Sequence, residues 1–119
     1  MAAPNIVSLS DIRGKTNVAN VTIPGSTLVS NPAASNTVYK ISSLYISNID
    51  GVASADVVVR LERGGAGYPI ANTIAVPADA TLLVIDKNSG VYLEEGDSIY
   101  VAASANGDLV AVASYEELG

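Results

Sequence analysis

The chain of 119 residues contains no histidine, no cysteine, no tryptophan and no phenylalanine. Without cysteine and histidine it lacks disulfides and the usual ligands of a structural zinc ion. The same absences remove the commonest catalytic bases and nucleophiles, so a serine nucleophile would need a lysine or carboxylate base, and none is suggestively spaced. We therefore expect a protein that is not an enzyme and that binds no cofactor or metal.

Basic residues are also scarce, because six lysines and arginines face twelve acidic residues and give a net charge of -6. Nucleic-acid binding needs a concentrated basic face, whereas these six residues are scattered along the chain. The longest apolar runs fall far short of the roughly 20 residues of a membrane helix, and the first residues do not resemble a secretory signal. We expect no nucleic-acid partner, no membrane partner, and synthesis in a cytoplasm.

What the chain does have, from Val38 onward, is a series of short strand patterns separated by turn residues. In residues 56–62, Val57, Val59 and Leu61 face one way and Asp56, Arg60 and Glu62 face the other. Residues 38–48 alternate with a phase slip at Ser42-Ser43 that either a β-bulge or two-sided burial would explain. Pro69 indicates an edge strand or the start of a strand, and Asn106-Gly107 predicts a hairpin between the strands on either side of it. The pattern predicts an all-β protein with a single antiparallel β-sandwich, either jelly-roll or immunoglobulin-like.

The N-terminal third differs in composition, since it is rich in Asn, Ser, Thr, Ala and Pro. Only Ala19 to Ile23 has a strand pattern there, so we predict an extended arm over residues 1–16 and a sandwich domain over residues 17–119. A core of Val, Ile, Leu and Ala buries modest area per residue. Small domains with such cores commonly gain stability by oligomerisation or docking, and we expect a homo-oligomer.

Two short motifs invite a chemical interpretation. Gly14-Lys15-Thr16 matches the end of a phosphate-binding loop, but Leu9 stands where that loop requires a glycine. Three acidic residues between Glu94 and Asp97 suggest a calcium site, although the alternating Asp and Asn ligands of such a loop are missing. The better interpretation is a solvated turn in which Gly96 adopts a backbone angle that other residues disfavour.

Six segments spread over nearly the whole chain form a recognisable set: the opening Met-Ala-Ala-Pro-Asn-Ile-Val, Gly14-Lys15-Thr16, the segment from Tyr39 to Asn48, Val76-Pro77-Ala78, the segment from Tyr92 to Ser98, and the closing segment from Val112 to Leu118. In these segments the sequence resembles a family of small virion structural proteins of tailed phages. The resemblance implies a place in the virion, with synthesis in the host cytoplasm. By analogy with small β-rich proteins that carry an arm, it implies a capsid decoration or cement protein.

Such a protein would bind the major capsid protein or other virion subunits, and an extended arm can do so by adding a strand to an exposed sheet edge. The candidate contacts are apolar or aromatic side chains of the arm and the strands, namely Ile6, Val7, Leu9, Ile12, Tyr39 and Tyr68. Alternatively, the arm residues pack on the chain's own sandwich. Two other functions stay open: a neck, tail or fibre-base component, and a carbohydrate-binding adhesion module.

Overall fold

The computed structural model describes residues 11–119, which form nine β-strands and no helix. Most of these strands have the apolar alternation predicted from the sequence, because one of their faces is buried. The strands are β1 Ile12–Val21, β2 Ser26–Ser30, β3 Val38–Asn48, β4 Ala55–Arg63, β5 Ala66–Val76, β6 Thr81–Ile85, β7 Val91–Leu93, β8 Ser98–Ala103 and β9 Leu109–Leu118.

The strands form two antiparallel sheets packed face to face. Sheet A has the order β1-β9-β3-β6, with β7 also paired to β3, and sheet B has the order β2-β8-β4-β5. When β6 and β7 are counted as two parts of one strand, these are the two four-stranded sheets of a jelly roll. The strand orders of these two sheets differ from those of an immunoglobulin sandwich, so the jelly-roll alternative is confirmed.

The hairpin predicted at Asn106-Gly107 is wrong. Strand β8 belongs to sheet B and β9 to sheet A, so this turn carries the chain from one sheet to the other. The hairpin within sheet B lies instead at Gly64-Gly65, between β4 and β5, where both glycines have positive φ (61° and 82°). Two positive φ values are what a type I′ hairpin turn requires. Asn-Gly is a typical sequence for such a turn, yet here it joins two different sheets. The residues of a turn therefore do not by themselves distinguish a hairpin from a crossover.

The boundary predicted between arm and sandwich also needs correction. Strand β1 begins at Ile12 and pairs with β9 in one continuous register from Ile12 opposite Leu118 to Val21 opposite Leu109. Residues 12–16 therefore belong to the sheet, and the rest of the predicted arm, apart from Asp11, lies outside the described residues. The strand was missed because it is an edge strand whose first half is exposed on both faces, which removes the apolar alternation.

The core lies between the two sheets and is built from aliphatic side chains. A bulge between Ile41 and Ser43 shifts the register of β3, so that Ile41 and Leu44 both point into the core despite their odd spacing. This bulge was predicted from the phase slip in the sequence. The largest fully buried side chains are Ile41, Leu44, Ile46, Ile85, Leu93, Ile99, Leu109, Val21, Val29, Val57, Val59 and Val76.

Asn48 anchors one end of the sandwich, the end away from Asp11 and Gly119. Its side chain is 3% exposed, and its amide nitrogen donates to the carbonyl oxygens of Ala53 and Val76, each at 2.9 Å. Its Oδ1 accepts a hydrogen bond from the backbone N–H of Asp50 at 2.9 Å. One side chain thus joins the β3–β4 loop to the end of β5.

We expect Asn48→Ala to lower the free energy of unfolding by about 2 kcal/mol, because the Val76 carbonyl oxygen loses its donor in a buried bond and the Ala53 carbonyl oxygen loses its donor in a part-buried one. Urea denaturation checks this. The matched control is Asn88→Ala, on an exposed loop, which should change stability by no more than about 0.5 kcal/mol. Equal losses in the two variants would contradict the anchoring role of Asn48.

Candidate interaction surfaces

Both ends of the described chain lie at one end of the sandwich, which we call the terminal end. Asp11 and Gly119 exchange two backbone hydrogen bonds, of 3.2 and 3.0 Å, and so continue the pairing of β1 with β9. The β2–β3, β4–β5 and β7–β8 loops lie at the same end. The described part of the chain therefore begins at the terminal end, next to the edge of sheet A.

A buried carboxylate holds the loops of the terminal end together. Asp97 is 3% exposed and accepts hydrogen bonds from the guanidinium of Arg63, from Nε at 2.9 Å and from Nη2, and from the backbone N–H of Glu94 at 2.8 Å. The Asn31 backbone N–H donates to the Asp97 carbonyl at 2.9 Å. The Asn31 amide donates to the carbonyls of Thr37 and Leu93, each at 3.0 Å. We call Arg63, Asp97 and Asn31 the loop clamp.

The electrostatics of the loop clamp favour the charged form of both partners. Burial by itself raises the pKa of Asp97, but the hydrogen bonds from Arg63 and from the Glu94 N–H, together with the Arg63 charge, outweigh it and lower the pKa. The hydrogen bond to Asp97 raises the pKa of Arg63. Arg63 also binds Glu94 at 2.8 Å, and Gly96 has the positive φ (87°) predicted for this turn.

The inner face of sheet A continues past the core at the terminal end. The rings of Tyr39 and Tyr115 stack there with centroids 5.2 Å apart, and Lys15 binds Glu117 at 3.0 Å. Burial raises the pKa of Tyr39, and the neighbouring Glu117 charge adds to this. Tyr39 is thus a half-buried part of the sandwich, and a small depression of about 160 Å³ lies next to Glu117.

The other predicted contact residues do not form one patch. Ile12 is 61% exposed at the start of β1, and Tyr68 is 55% exposed on β5. These two strands are edge strands of different sheets, with β1 next to β2 and β5 next to β6, so the two side chains lie at opposite edges of the sandwich. Ile6, Val7 and Leu9 lie outside the described residues.

The two sandwich edges differ in regularity. Strand β5 contains Pro69, has positive φ at Thr73 (55°), and shows two register shifts against β4. Strand β1 pairs with β9 without any shift over ten residues. Proline and bulges hinder the addition of a further strand to an edge, so β1 is the better edge for strand addition.

A further surface, which the sequence did not reveal, is the outward face of sheet A. Cross-strand pairing places side chains in five rows on this side, and the row at the terminal end is Ile12, Leu118 and Val38. We call the residues of the other four rows the outer A face. These four rows are Gly14, Glu116, Lys40 and Tyr92; Thr16, Ser114 and Ser43; Val18, Val112, Tyr45 and Leu83; and Asn20, Val110, Ser47 and Thr81.

The outer A face is poor in charge and carries exposed apolar side chains. Lys40 and Glu116 are its charged residues, and they are cross-strand neighbours of opposite sign. The row from Val18 to Leu83 crosses β1, β9, β3 and β6, and the exposed fractions are 69% for Val18, 40% for Tyr45 and 49% for Leu83. Depletion of charge together with exposed aromatic and aliphatic side chains is typical of the centre of a protein interface.

The outward face of sheet B has a different character. Strand β4 presents Asp56, Arg60 and Glu62 on that side, as the sequence predicted. The Arg60 guanidinium lies 4.4 Å from the centre of the Tyr100 ring and binds Glu62 at 3.3 Å. The hydroxyl of Tyr100 donates to the Pro24 carbonyl at 3.0 Å. Arg60, Glu62 and Tyr100 thus have partners within the chain, and this face is charged.

No protein-family model matches the chain, and no curated protein shows significant similarity to it. Within residues 11–119, no group of three or more acidic side chains is arranged to hold a metal ion. The same part of the chain contains no helix long and apolar enough to cross a membrane. The geometry of the surfaces therefore carries the functional argument.

The outer A face was missed because it depends on register. Val18, Val112, Tyr45 and Leu83 come from four strands and become neighbours only when those strands pair. Along the sequence, each is an ordinary apolar residue, and Tyr45 reads as a common sheet residue. A local signal does exist in β3, where the bulge places Tyr45 on the face opposite Leu44 and Ile46. That signal identifies single residues but not the row that they form.

Proposed function

We propose that this protein is a structural protein of a tailed-phage particle, where it decorates the head shell and stabilises it. The observation that carries the proposal is the uninterrupted edge strand β1, which begins at the exposed Ile12. The resemblance of the sequence to small virion structural proteins of tailed phages supports the same function. The partner is then the major capsid protein or another virion subunit.

The mechanism follows from the position of β1. An edge strand leaves one row of backbone N–H and C=O groups without a strand partner, and an extended segment of another subunit satisfies them by strand addition. Residues 1–10 supply Ile6, Val7 and Leu9 directly before this edge. Backbone hydrogen bonds along β1 give affinity, and apolar contacts at Ile12 and in residues 1–10 fix the register. Binding thus adds stability to both the decorating domain and the shell.

Deleting residues 1–10 is expected to abolish binding to head shells while leaving the sandwich folded. A deletion of residues 1–16 would not be informative, because it removes the first five residues of β1. Shells purified without this protein are mixed with either form of the chain, and bound protein is measured after sedimentation. Circular dichroism and urea denaturation confirm that the shortened chain folds. Undiminished binding of the shortened chain would overturn the role of residues 1–10.

We further expect Ile12→Asp to weaken shell binding at least tenfold, because a charge replaces an apolar contact at the start of β1. The matched control is Val52→Asp, which changes an aliphatic residue of 92% exposure at the end of the sandwich opposite the terminal end. Both variants should fold normally. If Val52→Asp weakens binding and Ile12→Asp does not, the shell contacts the opposite end of the sandwich.

The copy number per purified particle separates the decoration protein from a neck, tail or fibre-base component. A shell protein is present in many copies, in proportion to the major capsid protein. A neck or tail component is present in few copies, and antibody labelling would locate it away from the head. That result would replace decoration by the second location without changing the proposal that the protein belongs to the virion.

The glycan-binding alternative is favoured by a separate observation. Tyr45 and Tyr92 expose 40% and 45% of their surface on the outer A face, and exposed rings suit contacts with sugars. A glycan array probed with the full chain tests this alternative. Binding that Tyr45→Ala abolishes would support an adhesion module, and an array without hits would remove it.

A further inference from the structure

The outer A face is the place where two copies of this acidic chain can meet without like charges. Each copy has a net charge of -6, so most pairs of surfaces repel one another. The outer A face carries one positive and one negative side chain, Lys40 and Glu116, and is therefore neutral. Its remaining side chains are small, hydroxylic, amide or apolar.

The strand order gives this face a simple self-complementarity. A two-fold axis that runs along the strands, midway between β9 and β3, places β9 of one copy over β3 of the other and β1 over β6 and β7. Rotation about this axis does not change the position of a row along the strands, so each row meets the same row of the second copy. Two sheets that pack in this aligned way lie about 10 Å apart and cross at about 30°, so the central strands make the closest contacts.

The side chains match around this axis. In the apolar row, Val112 of one copy faces Tyr45 of the other, and Val18 faces Leu83. In the charged row, Glu116 faces Lys40 of the second copy, so the axis forms two intermolecular pairs of opposite sign. Every contact occurs twice, as an isologous interface requires.

The row of Glu116 and Lys40 also contains one small and one large residue that match each other, Gly14 and Tyr92. The axis places Gly14 of one copy opposite Tyr92 of the other, and the space in front of Gly14 is open for at least 4 Å. Tyr92 is 45% exposed and fills such a space with its ring. A larger side chain at position 14 would meet this ring.

The area of the face suits a dimer of moderate affinity. Four strands at a spacing of about 4.8 Å and seven residues at about 3.3 Å give roughly 450 Å² per copy as a flat projection. The pair then buries about 900 Å² before the relief of the side chains is counted, close to the roughly 1,000 Å² of the smallest specific interfaces. The dissociation constant expected for such an interface lies in the micromolar range.

We propose that the protein forms a homodimer in which two copies pack outer A face against outer A face about this two-fold axis. The proposal does not depend on the function in the virion, because it concerns the isolated chain. It leaves the outward edge of β1 for a different partner. A dimer would then present two binding edges to that partner.

Sedimentation velocity of the full chain over a range of concentrations tests the proposal. The wild type should change from monomer to dimer at micromolar concentration, and Tyr45→Lys should raise the dissociation constant at least tenfold, because a charge enters the apolar row. The matched control is Val52→Lys, in the β3–β4 loop and not part of the outer A face, which should dimerise like the wild type. A chain that stays monomeric at the highest soluble concentration overturns the proposal, as does equal dimerisation of Tyr45→Lys and the wild type.

Charge exchange tests the axis itself. Glu116→Lys alone should weaken the dimer, because each new lysine faces Lys40 of the second copy. The double variant Lys40→Glu with Glu116→Lys reverses both charges and should restore dimerisation to within about threefold of the wild type. Urea denaturation of each variant accounts for any change within one copy, where the two residues are also neighbours. If Glu116→Lys dimerises as strongly as the wild type, this arrangement is contradicted. If the protein is an adhesion module, the same face binds glycans instead of a second copy.

Discussion

Gly25→Ala should lower the free energy of unfolding by about 3 kcal/mol or more, the largest loss that we expect from any single added methyl group. Gly25 lies in the β1–β2 turn with φ at 121°, a conformation that alanine rarely adopts. A Cβ atom there would stand 2.7 Å from the Val101 carbonyl oxygen and 2.8 Å from the Ala102 Cβ. Both atoms belong to β8, a central strand of sheet B, so relief of the contact requires a shift of the backbone.

Gly107→Ala is the matched control. Gly107 also has a positive φ (84°), but no atom lies within 4 Å of the position that a Cβ would take. Its expected loss is about 1 kcal/mol, which is the cost of the left-handed conformation alone. Urea denaturation of both variants separates the two effects, and the difference between them measures the close approach of the turn to β8. Equal losses of stability in the two variants would contradict the close approach of the turn to β8.

The sequence predicts the strands better than it predicts their partners. Alternation over residues 56–62 and the slip near Ser42 depend on neighbouring residues, and both agree with β4 and with the bulge in β3. Asn106-Gly107 has equally good local chemistry, yet it joins two different sheets. The choice between hairpin and crossover is made by packing between distant strands, which a dipeptide does not encode. Periodicity therefore identified the sandwich, and only pairing identified the jelly roll.

The candidate surfaces show the same division. Ile12 was predicted as a partner contact in an extended arm, but it lies in β1, where it is exposed. Tyr39 and Tyr68 share an aromatic character, but one stacks on Tyr115 inside the terminal end and the other lies at the far edge of sheet B. Whether a tyrosine is buried depends on the strand that covers it. The outer A face depends on four strands at once, so no window of the sequence contains it.

The loop clamp contributes to the free energy of unfolding, and this contribution depends on pH. We expect Arg63→Met to lower the free energy of unfolding by about 2 kcal/mol at pH 7. It leaves the Asp97 carboxylate, which is 3% exposed, without its cationic partner. The loss is below that of a fully buried pair because the Arg63 side chain is 46% exposed and partly hydrated. Arg13→Met is the control, since Arg13 and Asp11 are both exposed and 3.9 Å apart, and it should change stability by no more than about 0.5 kcal/mol.

The sign of the pH effect follows from the pKa of Asp97. Folding lowers this pKa below its ordinary value of 3.8, so the folded state binds the proton less readily than the unfolded state. The stabilisation is complete above the unfolded pKa and is lost as the pH falls through 3.8 toward the folded pKa. In Arg63→Met, the hydrogen bond and the charge that lower the pKa are gone, while burial still raises it. The wild type should therefore lose more stability than the variant between pH 6 and pH 3.

Denaturation of both proteins across this pH range measures the difference, which should be largest near pH 7 and should shrink as the pH falls below 3.8. The double variant Arg63→Met with Asp97→Asn removes both charges, so it should be more stable at pH 7 than Arg63→Met alone. Parallel pH curves for the wild type and Arg63→Met would show that other carboxylates, such as Asp50 with its lowered pKa, cause the acid loss. Because the clamp joins the three loops beside Asp11, its loss should also weaken shell binding at low pH before the core unfolds.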